Sequence, residues 1–256
     1  MNRILGVLCF SLLAISGMAS AQQAAPMPTP IVEIYGCNFK ANKTMNDLHA
    51  VATRFNAWAD KNKVTDYTAF IVTPMLHGAD RKDDALWLGA WPNGAAMGAD
   101  EALYAAQGRE IDAAFDSAVA CGSHSQYAEV VVHQPQGPPP EHGVAVFSDC
   151  TLRSGRTVPE ALAALGQWSE YTASKGQAPF SAVLFALAGL PSDAHYTFKS
   201  VDGFDSMQAY GKYLDMYTGG GFMRADELLE RLVECNSPRV YALERVRLSA
   251  PAQPAR

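Results

Sequence analysis

Short apolar segments alternate with amphipathic ones along this chain, and the same succession occurs twice. Apolar runs of strand length open the two series at residues 31–37 and 144–150, and each run ends in a cysteine. In the stretches that follow, apolar residues recur every three or four positions, which is typical of one face of a helix. Further strands are predicted at 67–72, 86–91 and 127–133 in the first series and at 180–185, 196–201 and 241–247 in the second. A second helix with a glycine-bearing break precedes the last strand of each series, at 95–119 and at 205–234.

Both first helices carry the same start signal and the same aromatic pair. Each begins with a threonine followed three residues later by an acid, which is the pattern of a capping box. Each then places two aromatic side chains three positions apart, on one face of the helix. The residues concerned are Thr44, Asp47, Phe55 and Trp58 in the first series and Thr157, Glu160, Trp168 and Tyr171 in the second. Core packing is the simpler role for these aromatic side chains, and ligand binding is the alternative.

The order strand, helix, strand, strand, helix, strand is that of a ferredoxin-like unit. We therefore predict an α+β fold made of two tandem ferredoxin-like βαββαβ units that arose by internal duplication. Right-handed crossovers place strand three beside strand one, and we expect these two strands to be parallel. Strand four then lies on the other side of strand one and runs antiparallel to it.

Four cysteines remain once Cys9, which lies in an apolar N-terminal run, is set aside. Their number allows three pairings, and spacing alone does not choose between them. In the predicted topology the end of strand one lies near the start of strand four, so each unit is expected to close its own bridge. The pairs are Cys37 with Cys121 and Cys150 with Cys235. Closing a loop of about 85 residues stabilises a fold by about 4 kcal/mol on the chain-entropy model.

The first 21 residues have the pattern of a secretory signal peptide. Arg3 precedes an apolar run, and Ala19-Ser20-Ala21 matches a small-residue cleavage site, so the mature chain is predicted to begin at Gln22. Location in the periplasm or secretion agrees with an even number of cysteines. The predicted organisation is then a disordered tail at 22–30, the first unit at 31–133, a Pro-rich linker at 134–143, the second unit at 144–249 and a disordered tail at 250–256.

Two fused βαββαβ units resemble the dimeric α/β-barrel superfamily, in which two such sheets pack into a barrel with the helices outside. The resemblance implies no single function, because this fold carries cofactor-free monooxygenases, haem-binding chlorite dismutases and dye peroxidases, lactone isomerases and stress-responsive proteins. Trp91-Pro92-Asn93 followed by Ala96-Met97-Gly98 is also similar to exported bacterial proteins of an uncharacterised family.

Several classes of function are disfavoured by composition. The net charge is −6 and no basic stripe is present, so a nucleic-acid partner is not expected. Beyond the N-terminal run, no segment is long and apolar enough to span a bilayer. The sequence contains no nucleophile elbow, phosphate loop or dinucleotide fingerprint.

No cofactor or metal is expected either. The haem-binding groups of the superfamily use a helical histidine as the iron ligand, and neither predicted second helix contains a histidine. The nearest approach to a metal-ligand cluster is His77 with Asp80, Asp83 and Asp84, and a solvated hairpin connection accounts for that stretch more simply.

The remaining place for a site is the sheet face that lines the barrel interior. Strand residues alternate between faces, and the pattern leaves open which face is inward. Aligning the third strands pairs Gly89 with Lys199, so that one unit carries tryptophans where the other carries charge. The candidate ligand-binding residues are Asn38, Trp87, Trp91, Asp149 and Lys199. The alternative is that the tryptophans are core contacts and the lysine is exposed.

Our leading hypothesis is a periplasmic or secreted α/β-barrel protein that binds a small apolar or aromatic molecule. Cofactor-independent monooxygenation and isomerisation are the reactions considered, and the sequence assigns no catalytic residue. This hypothesis requires an internal cavity of about 300 Å³ or more. The alternative is a non-catalytic binding or envelope-assembly protein, and self-association into a homo-oligomer is left open.

Overall fold

A computed structural model describes the fold over residues 29–250. The predicted signal peptide, most of the tail at 22–30 and residues 251–256 lie outside the described residues.

Strands and helices alternate through both halves of the chain. The strands are β1 (Ile31–Phe39), β2 (Thr68–Leu76), β3 (Ala85–Trp91), β4 (Val119–His133), β5 (His142–Leu152), β6 (Phe180–Ala188), β7 (Phe198–Phe204), β8 (Val233–Cys235) and β9 (Arg239–Arg247). The helices are α1 (Met45–Lys61), α2 (Gly94–Gln107), α3 (Arg109–Ala118), α4 (Val158–Ser174), α5 (Met207–Met216) and α6 (Phe222–Ala225). Two π-helical segments, Tyr217–Gly221 and Asp226–Glu230, flank α6.

Local sequence accounts for where the helices start and break. At α4 the predicted capping box is present: the Thr157 backbone N–H donates to Glu160 Oε2 (2.8 Å), and the Glu160 N–H donates to Thr157 Oγ1 (3.4 Å). The predicted glycine break in the first half falls at Gly108, between α2 and α3. Apolar residues on one face of α1 are buried against the sheet.

Eight strands close into a barrel in the order β7-β6-β4-β1-β3-β2-β9-β5, with β5 pairing back to β7. Every pairing is antiparallel, including that of β1 with β3. The expectation that strands one and three are parallel was therefore wrong. The crossover helix α1 joins β1 to β2, and β3 returns from β2 by a hairpin, so β3 runs against both.

Both predicted disulfides are present. Cys37 is bonded to Cys121 across β1 and β4, and Cys150 to Cys235 across β5 and β8. β4 starts at Val119, eight positions before the predicted start at Tyr127. Glycine and polar residues between Cys121 and Tyr127 remove the apolar alternation that would have marked this part of the strand.

The predicted alignment of the third strands was wrong by three positions. Cys37 pairs with Ala85 on β3, and Cys150 pairs with Phe198 on β7. Counted from these cysteines, Lys199 corresponds to Leu86 and not to Gly89. A slip by an odd number exchanges the two faces of a strand. Leu86, Trp87 and Leu88 are consecutive apolar residues, so the sequence contains no alternation to fix the register.

The interior of the barrel is a packed apolar core. One or two buried residues from each of the eight strands meet there, and Tyr127, Leu184 and Tyr241 are among the most deeply buried. The opposite face of the sheet is covered by helices, with α1 and α3 over the first half and α4 over part of the second. Side chains from all eight strands pack together in this core. Among the described residues, no helix has the length and apolar character needed to cross a membrane.

Candidate functional site

A cavity of about 280 Å³ lies between the sheet and the helices of the first half. This volume is slightly below the value of about 300 Å³ or more that the leading hypothesis requires, and it corresponds to a small ligand site. Its floor is formed by the helix-facing side chains of β1 and β3, and its roof by α1, α2 and α3. The residues that line it include Glu33, Tyr35, Phe55, Trp58, Tyr67, Trp87, Trp91, Asp100, Glu101, Tyr104, Asp112, Phe115 and Asp116.

Aromatic rings form most of the apolar wall. Phe55 lies at the centre, with ring centroids 5.7 Å from Tyr67 and 5.5 Å from Trp87. Trp91 packs on Tyr67 at 4.6 Å. Trp58 donates its indole N–H to the Gln107 carbonyl (3.1 Å), which fixes the ring at the helix break. The cavity is thus walled by rings that are already held in place before any ligand binds.

A chain of hydrogen bonds runs from this wall to the surface. The Trp87 indole N–H donates to the Tyr67 hydroxyl oxygen (2.8 Å), and the Tyr67 hydroxyl donates to Glu33 Oε1 (2.7 Å). His124 Nε2 lies 3.0 Å from Glu33 Oε2, and since an ionised carboxylate only accepts, the ring nitrogen donates. Glu33 is only 4% exposed, whereas the His124 side chain is 40% exposed. A buried carboxylate is therefore linked to solvent through one imidazole.

Gly89 makes this chain sterically possible. It lies directly opposite Glu33 on the neighbouring strand. A Cβ atom on residue 89 would lie 2.1 Å from the Tyr67 hydroxyl oxygen and 2.4 Å from a ring carbon. The Tyr67 ring thus crosses β3 through the space that glycine leaves free, and only in this way does its hydroxyl reach Glu33.

The polar part of the cavity is acidic. Five carboxylates line it, those of Glu33, Asp100, Glu101, Asp112 and Asp116, and none of the described lining residues is Lys, Arg or His. Burial is the main cause of a raised pKa at Glu101, and the charge of Glu33 adds to it. Burial also raises the pKa of Asp100, although a hydrogen bond from Trp91 acts in the opposite direction. Burial, followed by the charge of Glu33, also raises the pKa of Tyr67 well above its usual value, so its hydroxyl stays protonated.

The five predicted ligand-binding residues fall in three places. Trp87 and Trp91 line the cavity. Lys199 and Asp149 form an ion pair at one end of the barrel, and Asn38 is exposed near the end of β1. Sequence reasoning missed Glu33 and Tyr67. The one available signal was a glutamate inside the otherwise apolar strand at 31–37, where a buried charge needs a partner.

The charges at the barrel end satisfy one another. Asp149 accepts from Lys199 and also pairs with Arg239 at 2.9 Å. The Lys199 ammonium lies 4.3 Å from the centre of the Tyr196 ring. Burial raises the pKa of Asp149, but the hydrogen bond and charge of Lys199, together with Arg239, outweigh it and lower that pKa overall. None of these charged residues lines the cavity of about 280 Å³.

Haem does not fit the cavity. The residues that line it offer no histidine, and their tyrosines would have to bind iron as phenolates, although burial raises the pKa values of Tyr35, Tyr67 and Tyr104. The propionates of haem would also face five carboxylates. Within residues 29–250, no group of three or more His, Cys, Asp and Glu side chains is arranged to hold a metal ion.

Comparison with protein-family models finds no match to this sequence, and comparison with curated proteins finds none. Solved structures do match. A provisionally named monooxygenase from Fusobacterium nucleatum subsp. nucleatum superposes with a TM-score of 0.54 at 8% identity, over 86% of this chain and 94% of that one. A provisionally named monooxygenase from Lactobacillus acidophilus superposes with a TM-score of 0.51 at 10% identity, over 86% of this chain and 96% of that one. A provisionally named dyp-type peroxidase from Shewanella oneidensis also has a TM-score of 0.51, at 9% identity and over 87% of this chain and 94% of that one.

At these identities the likeness concerns the fold alone. The three superpositions cover 86–87% of this chain, including its closed antiparallel barrel, and 94–96% of the other chain. This chain therefore has the dimeric α/β-barrel fold, with all eight barrel strands supplied by one polypeptide.

Proposed function

We propose that this protein binds a small aromatic molecule in the cavity of the first half and removes a proton from it without a cofactor. The observation that carries the proposal is the buried Glu33 carboxylate, held by Tyr67 and His124 at the floor of an aromatic cavity. Isomerisation and cofactor-independent oxygenation both begin with removal of an acidic proton, so both are compatible with this step.

The lining residues define the class of ligand. Stacked and edge-on aromatic rings favour a flat apolar body. The carboxylates oppose an anionic ligand and favour a neutral or cationic one. A volume of about 280 Å³ limits the ligand to one or two rings. We infer a neutral aromatic ketone or phenol with an acidic proton.

The hydrogen-bond chain supplies a route for that proton. Tyr67 lines the cavity. In the proposed step its hydroxyl oxygen accepts the substrate proton while its own proton passes to Glu33. The products are the substrate anion, neutral Tyr67 and protonated Glu33, so the net charge of the site is unchanged. His124 holds the second carboxylate oxygen of Glu33 in place through its ring nitrogen. A positioned general base of this kind contributes about 10²–10⁴-fold to the rate.

Hydrogen–deuterium exchange tests the step directly. We choose 2-tetralone in D₂O, an aromatic ketone whose carbon-bound protons beside the carbonyl are acidic, and follow their loss by proton NMR. Wild-type protein should accelerate exchange above buffer, and Glu33→Gln should lower the catalysed rate about 100-fold or more. Lys82→Gln, an exposed change in the β2–β3 connection, is the matched control and should leave the rate unaltered. Exchange that is no faster than in buffer, despite measured binding, would refute the catalytic part.

Non-catalytic binding is the second candidate function. It is favoured by the completeness of the hydrogen-bond chain: both oxygens of Glu33 and the hydroxyl of Tyr67 have partners within the protein. Quenching of tryptophan fluorescence by 2-tetralone, without catalysed exchange, is the result that selects this function.

We also infer that the chain is exported and that its halves, 31–133 and 144–249, are diverged copies joined by 134–143. The two disulfides support export. The halves have matching strand orders, β4-β1-β3-β2 and β9-β5-β7-β6, which supports duplication. Mass spectrometry of protein from the native cell should find a mature N-terminus at Gln22, and retention of Met1 would oppose export.

A further inference from the structure

A second cavity, of about 180 Å³, lies under the helices of the other half. It is enclosed by β5, β6 and β7 below and by α4, α5 and the π-helical segments above. Its polar lining residues are Ser148, Trp168, Ser181, Ser200, Asp202, Tyr213 and Tyr217. Trp168, Asp202, Tyr213 and Tyr217 are each partly exposed, so the cavity opens to solvent.

Asp202 is the only charged group in this lining, and none of the described residues around the cavity is basic. The carboxyl is on β7 opposite Ser181, and a hydrogen bond from the Ser181 hydroxyl favours its ionised form. Burial raises the pKa of Asp202 to about 6, against that hydrogen bond. At neutral pH the cavity therefore holds a mostly ionised carboxylate with no cationic side chain among the lining residues, and a cationic ligand would supply the missing partner.

The aromatic walls have the geometry that such a ligand needs. Trp168 stands nearly perpendicular to Tyr213 and to Tyr217, at 86° and 89°, with ring centroids 6.4 and 6.2 Å away. The Trp168 indole N–H donates to the Tyr213 hydroxyl (3.3 Å), which fixes this corner. Aromatic rings attract a cation that lies over a ring face within about 6 Å, so a cavity walled by three rings suits an organic cation.

The backbone at Tyr217 is also unusual. The helical layer is kinked at Gly220, which has a φ of +119°. Tyr217, three residues before this kink, forms part of the cavity wall.

We propose that this second cavity binds a small organic ammonium ion, with Asp202 as its counter-ion and Trp168, Tyr213 and Tyr217 as its aromatic walls. The first cavity takes the aromatic molecule of the proposed function, and this second site does not depend on it. The small volume restricts the ligand to a short alkylammonium or a methylated ammonium group.

Isothermal titration calorimetry with n-butylammonium chloride tests the proposal, with 1-butanol as the neutral analogue. Wild-type protein should bind butylammonium and bind butanol at least about ten-fold more weakly. Asp202→Asn should weaken butylammonium binding at least ten-fold, because truncating one partner of a desolvated charge pair is costly. Asp205→Asn, an exposed carboxylate three residues away, is the matched control and should bind as the wild type does.

Trp168→Leu gives an independent variant that keeps the carboxylate. It should weaken tetramethylammonium binding about five-fold, since that ion forms no hydrogen bonds and depends on the rings. Circular dichroism confirms that each variant is folded. The proposal is overturned if neither ammonium ion binds wild-type protein at millimolar concentration, or if Asp202→Asn binds butylammonium as tightly as Asp205→Asn.

Discussion

Replacing Gly89 with alanine probes the contact on which the proposed site depends. The added methyl group would lie 2.1 Å from the Tyr67 hydroxyl oxygen, well inside van der Waals contact, and Tyr67 is itself only 4% exposed. Because the ring is packed between Phe55 and Trp91, it has no free space to enter. The ring must therefore move away from β3 and lose its hydrogen bonds to Glu33 and Trp87.

The expected cost follows from these lost contacts. Glu33 and Trp87 are 4% and 7% exposed, and each buried polar group that loses its partner costs about 1–3 kcal/mol. Overpacking adds about 1–3 kcal/mol. We expect Gly89→Ala to lower the free energy of unfolding by about 4 kcal/mol in total. A loss of 1 kcal/mol lowers Tm by about 2–4 °C in a protein of this size, so Tm should fall by about 10 °C.

Thermal unfolding followed by circular dichroism measures this change. Gly98→Ala is the matched control. Gly98 lies in α2, and no neighbouring segment is within 4 Å of the position that a Cβ atom would take. Alanine is also the better helix former. It should stabilise by about 0.5–1 kcal/mol. In a Tyr67→Ala background the penalty of Gly89→Ala should largely disappear. A Gly89→Ala protein that melts within 1 °C of the wild type would refute the proposed packing of Tyr67 across β3.

Two further changes test charges away from the cavity. Glu129 lies opposite Leu184 in the barrel, and burial raises its pKa from 4.5 to about 7. The folded state therefore favours the protonated form of Glu129, and this stabilisation is complete below pH 4.5 and is lost as the pH rises to about 7. The Glu129→Gln protein should be up to about 3 kcal/mol more stable than wild type at pH 8 and equally stable at pH 4. Equal urea midpoints at pH 8 would contradict this. Asp149→Asn removes the anion that half-buried Lys199 and Arg239 share, so it should lower the free energy of unfolding, measured in urea, by about 3 kcal/mol. A loss under 1 kcal/mol would show that water takes the place of the Asp149 carboxylate.

Local patterns in the sequence determined the elements of this protein and the connections within each half. Threonine caps, the glycine at 108 and the helical spacing of apolar residues depend on neighbours along the chain, so they are visible without a fold. The cysteine pairing followed from element order, because a crossover topology brings the end of strand one to the start of strand four.

Only the tertiary structure decided which face of the sheet carries the cavity and which residues meet there. The strands are covered on both faces, so they lack the apolar and polar alternation that marks an inward side. The third-strand alignment failed for this reason, and Lys199 and Trp87 lie on opposite faces. The hydrogen-bonded chain joins Glu33 on β1, His124 on β4 and Tyr67 directly before β2. These residues meet only in the folded sheet, where the absence of a side chain at Gly89 leaves room for the Tyr67 ring. Contacts between distant residues depend on strand register, and in this chain the register is set by packing on both sides of the sheet.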